Sequence, residues 1–398
     1  MNRALSVLAV LPFLACAQQQ PTTSSAAPRV GGGEQQVTRE QVLRGRLLTI
    51  NHVCGGCHGG GDDPSNSKWL SGARDTLDQF KIGPFTTRPR NLTPDSVTGL
   101  GRYSMRQIFN ALRFGLRPGK TPDVEITSTI PGQGNFPAEP KYLAPPMPWP
   151  EWRHMTDQEL WDIAAYLKHG LRPVSNQVAD SEGPPDFWAD AYTVEKIGSY
   201  PAPAFPTAAE ALVIPAGAPQ VTAEQVRRGR FLTINHACGG CHGGGGNPAS
   251  PKWLSGVRDS TDEFKIGPFT TRPRNLTPDN STGLGRFSMR QIFNALRFGL
   301  RPGETPDVEI TSSVPGQGNF PMNPKFLAPP MPWMAWRHMS DQELWDIAAY
   351  LKHGVKPVSN RVKDSEGPPD FWASEMVVPK IGTYPAPAFP TANEEFRP

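Results

Sequence analysis

Two short clusters of cysteine and histidine carry the most specific chemistry in this sequence. Both read Cys-Gly-Gly-Cys-His, and they comprise Cys54, Cys57 and His58 in one copy and Cys238, Cys241 and His242 in the other. Two thiols three positions apart can each form a thioether with a heme vinyl group, and the histidine that follows can bind the iron. The sequence therefore predicts two covalently bound heme c groups, with the cysteines as attachment points and the histidines as axial ligands.

Three other kinds of site share part of this pattern: a zinc half-site, a dithiol redox pair and a structural disulfide. A zinc site needs two more soft ligands in each copy, and the sequence contains no second cysteine pair to supply them. A thioredoxin-like dithiol needs a βαβ setting, which the sequence pattern does not provide. Covalent heme attachment is the interpretation that the pattern favours.

The sixth iron ligand decides what such a heme can do, and methionines are the leading candidates. Each copy offers three, namely Met105, Met147 and Met155 in the first and Met289, Met331 and Met339 in the second. Met155 occupies a hydrophobic-staple position before a helix cap, and Met105 begins a helix. Met147 lies instead in a stiff Ala-Pro-Pro-Met-Pro-Trp loop that can hold a thioether in place. The sequence therefore predicts Met147 and Met331 as the sixth ligands.

Histidines are the competing candidates for the sixth position. They are His52, His154, His169, His236, His338 and His353. We expect each to be a surface or helix-end residue, and His169 lies in a final helical turn where cationic groups are favoured.

The chain is an internal duplication with an offset of 184 residues. Val37-Thr-Arg-Glu-Gln returns at position 221 as Val-Thr-Ala-Glu-Gln, and the segment 197–207 returns at 381–391. Two copies of this length indicate two domains of one fold rather than a solenoid. We therefore predict domains at 37–207 and 221–398, joined by an Ala/Pro-rich linker at 208–220.

Helix starts of one kind recur in both copies. A Ser or Thr cap is followed three residues later by Gln or Glu, at Thr38, Ser104, Thr156, Thr222, Ser288 and Ser340. Gly115 and Gly170 are each followed by a proline three residues later, which marks helix ends. No alternating strand pattern is evident, so we predict an all-α protein of two tandem domains with long loops.

The first residues predict export. Met1-Asn2-Arg3 and the apolar run that follows are typical of a secretory signal over 1–17, and the run is too short to span a bilayer. Cys16 is the odd cysteine left after the two pairs, which favours lipidation there over ordinary cleavage nearby. Residues 18–36 are then a flexible tether. We expect a periplasmic or extracytoplasmic membrane-surface location.

The charge balance argues against a nucleic-acid partner. Lysine and arginine number 40 and aspartate and glutamate 37, which gives a net charge of +3 without a basic block.

Several motifs together resemble class I cytochrome c domains, most closely those in the multiheme cytochrome subunits of bacterial membrane-bound alcohol and gluconate dehydrogenases. They are the first capped helix with its Cys-x-x-Cys-His, the segments 91–95 and 98–101, the loop Met147-Pro-Trp, and the helix at 157–167. The resemblance implies low-spin heme with histidine and methionine ligands, used for electron transfer. This chain has two heme motifs where those subunits have three, and it has a longer loop at 120–142, so their partner is not carried over.

The leading hypothesis is therefore an electron carrier, not an enzyme, that passes single electrons between an unidentified donor and an unidentified acceptor. The alternatives are a diheme peroxidase and a fixed cytochrome subunit of a dehydrogenase complex. A peroxidase needs unlike hemes, whereas the two copies offer the same ligand set and the same loops, with no acid or base present in one distal region and absent from the other, so we expect similar potentials. Arg88 and Arg90, with their counterparts Arg272 and Arg274, either bind heme propionates or lie in a solvated loop.

Overall fold

The computed structural model describes residues 37–61, 63–73, 79–153, 155–184, 186–197, 221–245, 247–257 and 263–384. The predicted signal peptide with Cys16, the tether, the linker and His154 lie outside the described residues. No helix in the described part of the chain is long and apolar enough to cross a membrane.

The protein is mainly helical, as predicted. The described residues form six α-helices in each copy: α1 (Arg39–Asn51), α2 (Cys54–His58), α3 (Met105–Phe114), α4 (Trp149–Trp152), α5 (Asp157–His169) and α6 (Val194–Ile197), then α7 (Ala223–Asn235), α8 (Cys238–His242), α9 (Met289–Phe298), α10 (Trp333–Trp336), α11 (Asp341–His353) and α12 (Val378–Ile381).

Two small hairpins accompany the helices. Each copy contains one small antiparallel hairpin, formed by β1 (Phe80–Ile82) with β2 (Phe85–Thr87), and by β3 (Phe264–Ile266) with β4 (Phe269–Thr271). Strands of three residues are too short for an alternating pattern to emerge from the sequence.

The six predicted helix caps all form. In α3 the Ser104 hydroxyl accepts from the Gln107 amide at 3.1 Å, and the Gln107 side chain accepts from the Ser104 amide at 3.1 Å. The same reciprocal box begins α5, α9 and α11. At α1 and α7 only the Thr hydroxyl contributes, and it accepts from the amide three residues later. These caps satisfy amide groups that a helix start leaves without partners.

The frame of the first copy is the crossing of α1 and α5. Gly45 brings the two backbones so close that an added Cβ atom would lie 1.8 Å from the carbonyl oxygen of Asp162. Beside it the Arg44 guanidinium donates to both carboxylate oxygens of buried Asp162, at 2.7 and 3.2 Å. In the second copy Gly229, Arg228 and Asp346 repeat the crossing of α7 and α11.

The two copies pack against each other through reciprocal contacts. The indole N–H of Trp152 donates to the carbonyl of Asn235 at 3.2 Å, and the indole of Trp336 donates to the carbonyl of Asn51 at 3.2 Å. Between these bonds the rings of His52 and His236 stack with centroids 4.8 Å apart. The copies therefore meet at the C-terminal ends of α1 and α7. The domain limits themselves stay a prediction.

Candidate heme-binding site

The sequence suggested that the Cys-x-x-Cys-His segment ends the first helix. In the structure it forms a separate short helix. Helix α1 ends at Asn51, and Val53 adopts a left-handed conformation with φ of 57° before α2 begins. Ala237 makes the same turn before α8 with φ of 52°. The turn redirects the chain, so that both cysteines and the histidine lie on one helical turn.

A buried tryptophan holds this short helix against the core. An added Cβ atom on Gly55 would lie 2.1 Å from the ring of Trp69, so only glycine fits there. The indole of Trp69 in turn donates to the hydroxyl of Tyr166 on α5 at 3.0 Å. Trp253 and Tyr350 repeat the arrangement in the second copy, with a bond of 2.9 Å. This link was not predicted, because its two partners lie 97 residues apart along the chain.

Each motif histidine has its ring orientation fixed. The distance from His58 Nδ1 to the Arg90 carbonyl oxygen is 2.7 Å, and that from His242 Nδ1 to the Arg274 carbonyl oxygen is 2.8 Å. A carbonyl can only accept, so Nδ1 carries the proton and Nε2 presents a lone pair. Burial lowers the pKa of both rings, which favours the neutral form that binds metals. A hydrogen bond from the second ring nitrogen is the usual support of a metal-bound histidine.

The four motif cysteines, Cys54, Cys57, Cys238 and Cys241, form no disulfide with one another. Burial raises the pKa of the Cys54 thiol to about 12, with a smaller contribution from Cys57, and burial likewise raises that of Cys238 to about 12. Dithiol redox motifs lower the thiol pKa, so the environment here is the opposite of theirs. No group of three or more His, Cys, Asp and Glu side chains in the described ranges could hold a metal ion. The donor set fits covalent heme rather than zinc or dithiol chemistry.

The loop that carries Met147 is fixed on both sides of the methionine. The Met147 amide donates to the Ala144 carbonyl at 2.9 Å, and the Trp149 amide donates to the Met147 carbonyl at 2.9 Å. The half-buried Met147 side chain packs against the hydrophobic core that also contacts Cys54. Met331 repeats these backbone bonds and packs against the same core, which Cys238 also contacts. Their role as iron ligands stays a prediction.

The same loop carries a buried donor that a bound group could satisfy. The indole nitrogens of Trp149 and Trp333 have no hydrogen-bond partner among the described residues. Heme carries carboxylate groups, which are acceptors of the kind that such a donor needs. This orphaned donor, the oriented imidazoles and the thiols together fit a heme in each copy.

Other candidate ligands have structural roles. Met155 is 4% exposed and packs with fully buried Leu160, as a hydrophobic staple requires, and Met105 lies at the edge of the core. His52 and His236 cap the ends of α1 and α7, as the prediction of surface or helix-end residues allows, and their rings stack on each other. Both rings lie between the copies, and their Nε2 atoms are buried without partners in the described structure.

The arginines near the motif hold a protein segment. The Arg88 guanidinium is buried and donates to the Asp180 carbonyl at 2.8 Å and to Glu182 at 3.0 Å. Arg90 donates to the Val178 carbonyl at 3.2 Å. The solvated-loop interpretation of Arg88 is therefore wrong, and propionate binding stays a prediction.

One buried acid distinguishes α4 from its counterpart α10. Glu151 is buried in α4, whereas the equivalent residue of α10 is Ala335. The substitution is visible once the copies are aligned at the offset of 184, but its burial is not.

Residues 226–354 of the second copy match the family model for cytochrome c. The chain contains a cytochrome c domain. A cytochrome c domain implies heme c attached through a Cys-x-x-Cys-His motif. The matched residues 226–354 contain one such motif, formed by Cys238, Cys241 and His242.

Curated relatives are cytochrome subunits of dehydrogenases. The gluconate 2-dehydrogenase cytochrome c subunit of Pantoea cypripedii is 26% identical over 346 residues, which cover 83% of this chain and 63% of the relative. The alcohol dehydrogenase (quinone) cytochrome c subunit of Gluconacetobacter polyoxogenes is 25% identical over 275 residues, 66% of this chain and 46% of the relative. The fructose dehydrogenase cytochrome subunit of Gluconobacter japonicus is 25% identical over 277 residues, 66% of this chain and 45% of the relative. The chain spans less than two thirds of the length of these relatives.

Proposed function

We propose that this chain is a diheme electron-transfer protein that accepts single electrons from a dehydrogenase and passes them to a further redox partner. One heme is bound through Cys54 and Cys57 with His58 and Met147 as axial ligands. The other is bound through Cys238 and Cys241 with His242 and Met331. The observation that carries the proposal is the fixed orientation of both motif histidines, whose Nδ1 atoms donate to backbone carbonyls while Nε2 is left as the ligand atom.

The chain's own residues perform three tasks in this function. The cysteines would anchor the group covalently, the histidine and methionine would bind its iron, and buried Trp69 and Trp253 hold the short helices that carry the cysteines. When bound, heme with these ligands would supply a one-electron couple between ferrous and ferric iron, at a potential that methionine raises. No proton transfer to a substrate is required of the site.

The dehydrogenase partner is proposed from the relatives, whose names describe cytochrome subunits of gluconate, alcohol and fructose dehydrogenases. None of these relatives is a peroxidase, so that alternative has no support. The chain is then either a fixed subunit or a tethered carrier. Because covalent heme attachment follows export, we place it in the periplasm or on the outer face of a membrane, where a lipid at Cys16 would anchor it.

Absorption spectra of the purified holoprotein, oxidised and reduced, test the ligand assignment. We expect two low-spin hemes and the weak red band that reports sulfur bound to ferric heme. Met147→Leu and Met331→Leu should each remove half of that band, because leucine preserves packing but cannot bind iron. Met105→Leu is the matched control and should retain the whole band. A high-spin heme in the unaltered protein, or a full band in both ligand variants, would refute the proposal.

A further inference from the structure

The two copies differ immediately after the predicted iron-binding methionines. Glu151 of α4 is only 9% exposed, whereas its counterpart Ala335 in α10 is fully buried. The Glu151 amide donates to the Pro148 carbonyl at 3.2 Å, which holds the residue one helical turn beyond Met147. An ionisable group therefore lies inside the first copy where the second has a methyl group.

The residues around Glu151 are also more polar than those around Ala335. Tyr142 stacks on Trp149 with centroids 5.8 Å apart, and Phe326 stacks on Trp333 at 5.9 Å, so the frame is the same in both copies. Tyr192 contacts Trp149 edge-on at 5.0 Å, and the equivalent residue of the second copy is Met376. Three buried polar side chains in the first copy thus correspond to three apolar ones in the second.

The Glu151 carboxyl group is poorly compensated. Its Oε2 atom is buried without a hydrogen-bond partner in the described part of the chain. On α3, which packs against α4, Arg113 donates to the carbonyls of Arg153 and Met155 and to Asp157 instead. Burial raises the pKa of Glu151 to about 7, and the positive charge of Arg153 opposes that rise only in part.

Other titratable groups near α4 belong to its remaining neighbours. They are Arg230 of α7, the interface histidines His52 and His236, and the tyrosines Tyr142 and Tyr192. Burial lowers the pKa of both histidines and raises that of both tyrosines, which keeps all four neutral near pH 7. Glu151 is therefore the group in this set that changes its charge near neutral pH.

We propose that Glu151 makes the two copies unequal and holds the first at the lower midpoint potential, so that an electron accepted there passes to the second. This inference rests on the proposed function. A carboxylate stabilises the more positive, oxidised state of the group bound in its own copy. Near pH 7, where the charged and protonated forms of Glu151 coexist, loss of the electron from the first copy would favour release of the Glu151 proton to solvent, and return of an electron would favour its uptake.

A charge held in a protein interior acts on a second charge more strongly than it would in water, and we expect Glu151 to shift such an equilibrium on the order of tenfold. For a one-electron couple, a factor of ten corresponds to about 59 mV. We therefore expect two midpoint potentials that differ by about this amount above pH 7, and a difference that shrinks as Glu151 is protonated.

Spectroelectrochemical titration of the holoprotein between pH 5.5 and pH 9 tests the inference. Glu151→Gln keeps the shape of the side chain and should bring the two midpoints together at every pH. Ala335→Glu should lower the midpoint of the second copy and give it the same pH dependence. Tyr142→Phe, which copies the second repeat at a neighbouring position, should leave the pH dependence intact.

The result separates this inference from the proposed function. Low-spin, methionine-bound spectra in every variant retain the electron-carrier assignment whatever the potentials are. Equal midpoints in the unaltered protein at pH 8.5, or an unchanged pH-dependent gap in Glu151→Gln, would overturn the role of Glu151. If Glu151→Gln does not fold, Ala335→Glu alone decides, because a second midpoint that is insensitive to the new carboxyl also contradicts the inference.

Discussion

Replacing Gly45 by alanine should strongly destabilise the first copy. The added Cβ atom would lie 1.8 Å from the Asp162 carbonyl oxygen, whereas ordinary contact begins at 3.4 Å, so α1 would have to move about 1.6 Å away from α5. Overpacking of a core costs about 1–3 kcal/mol. The obstacle here is backbone, and the movement also strains the bidentate ion pair between Arg44 and Asp162, so we expect the upper end of that range. The gain in helix propensity from glycine to alanine offsets about 1 kcal/mol.

The net loss of about 2 kcal/mol should lower the melting temperature by about 4–8 °C. Thermal unfolding followed by far-ultraviolet circular dichroism measures it, and Gly229→Ala at the crossing of α7 and α11 should behave alike. Gly303→Ala is the control, because its added Cβ atom would have no heavy atom within 4 Å. A Gly45→Ala protein that melts at the same temperature as the Gly303→Ala protein would refute the close-packing argument.

Three further predictions concern buried polar groups. Burial lowers the pKa of His236 from 6.5 to about 3, so the contribution of the neutral ring to stability is present above pH 6.5 and lost as the pH falls through 3. The melting temperature should therefore decline as the pH falls from 6.5 to 3. An equal decline in His236→Gln would contradict this assignment. Burial raises the pKa of Glu151 from 4.5 to about 7, so its contribution is present below pH 4.5 and lost as the pH rises through 7. The effect of Glu151→Gln on the free energy of unfolding, measured by urea titration, should therefore be more stabilising at pH 8 than at pH 4 by about 3 kcal/mol. Equal effects at the two pH values would argue against the assignment. Trp152→Phe removes the donor to the Asn235 carbonyl and should lower the free energy of unfolding by about 1–2 kcal/mol, and Trp336→Phe should have a similar effect. An unchanged free energy of unfolding in urea titrations of either variant would count against the reciprocal bonds.

The features that the sequence predicted correctly are local ones. The cap at Ser104 requires only a hydroxyl and a glutamine three residues later, and the pattern also placed the end of α3 at Gly115, which has a left-handed φ of 67°. The Cys-x-x-Cys-His motif is equally local. Each of these depends on a few neighbouring residues whose chemistry is independent of the rest of the fold.

The features that the sequence did not predict depend on distant contacts. The stacking of His52 on His236 was not predicted, because nothing near His52 along the chain indicates a partner ring 184 residues later. The separate helix α2 follows from the left-handed turn at Val53, a conformation that a β-branched residue rarely adopts. Tertiary packing imposes that turn against the local preference of valine, so the sequence around Val53 did not indicate it.

The reciprocal pair of tryptophan bonds has an evolutionary implication. Trp152 contacts the copy that contains Asn235, and Trp336 contacts the copy that contains Asn51, so each copy presents the same patch to the other. Such an isologous contact is the one that a twofold-symmetric homodimer makes. A gene duplication with fusion converts that dimer into a single chain and frees each subunit to diverge. The ancestor that this interface implies is a homodimer of a chain with a single Cys-x-x-Cys-His motif, and Glu151 with Ala335 is one position at which its two descendants have separated.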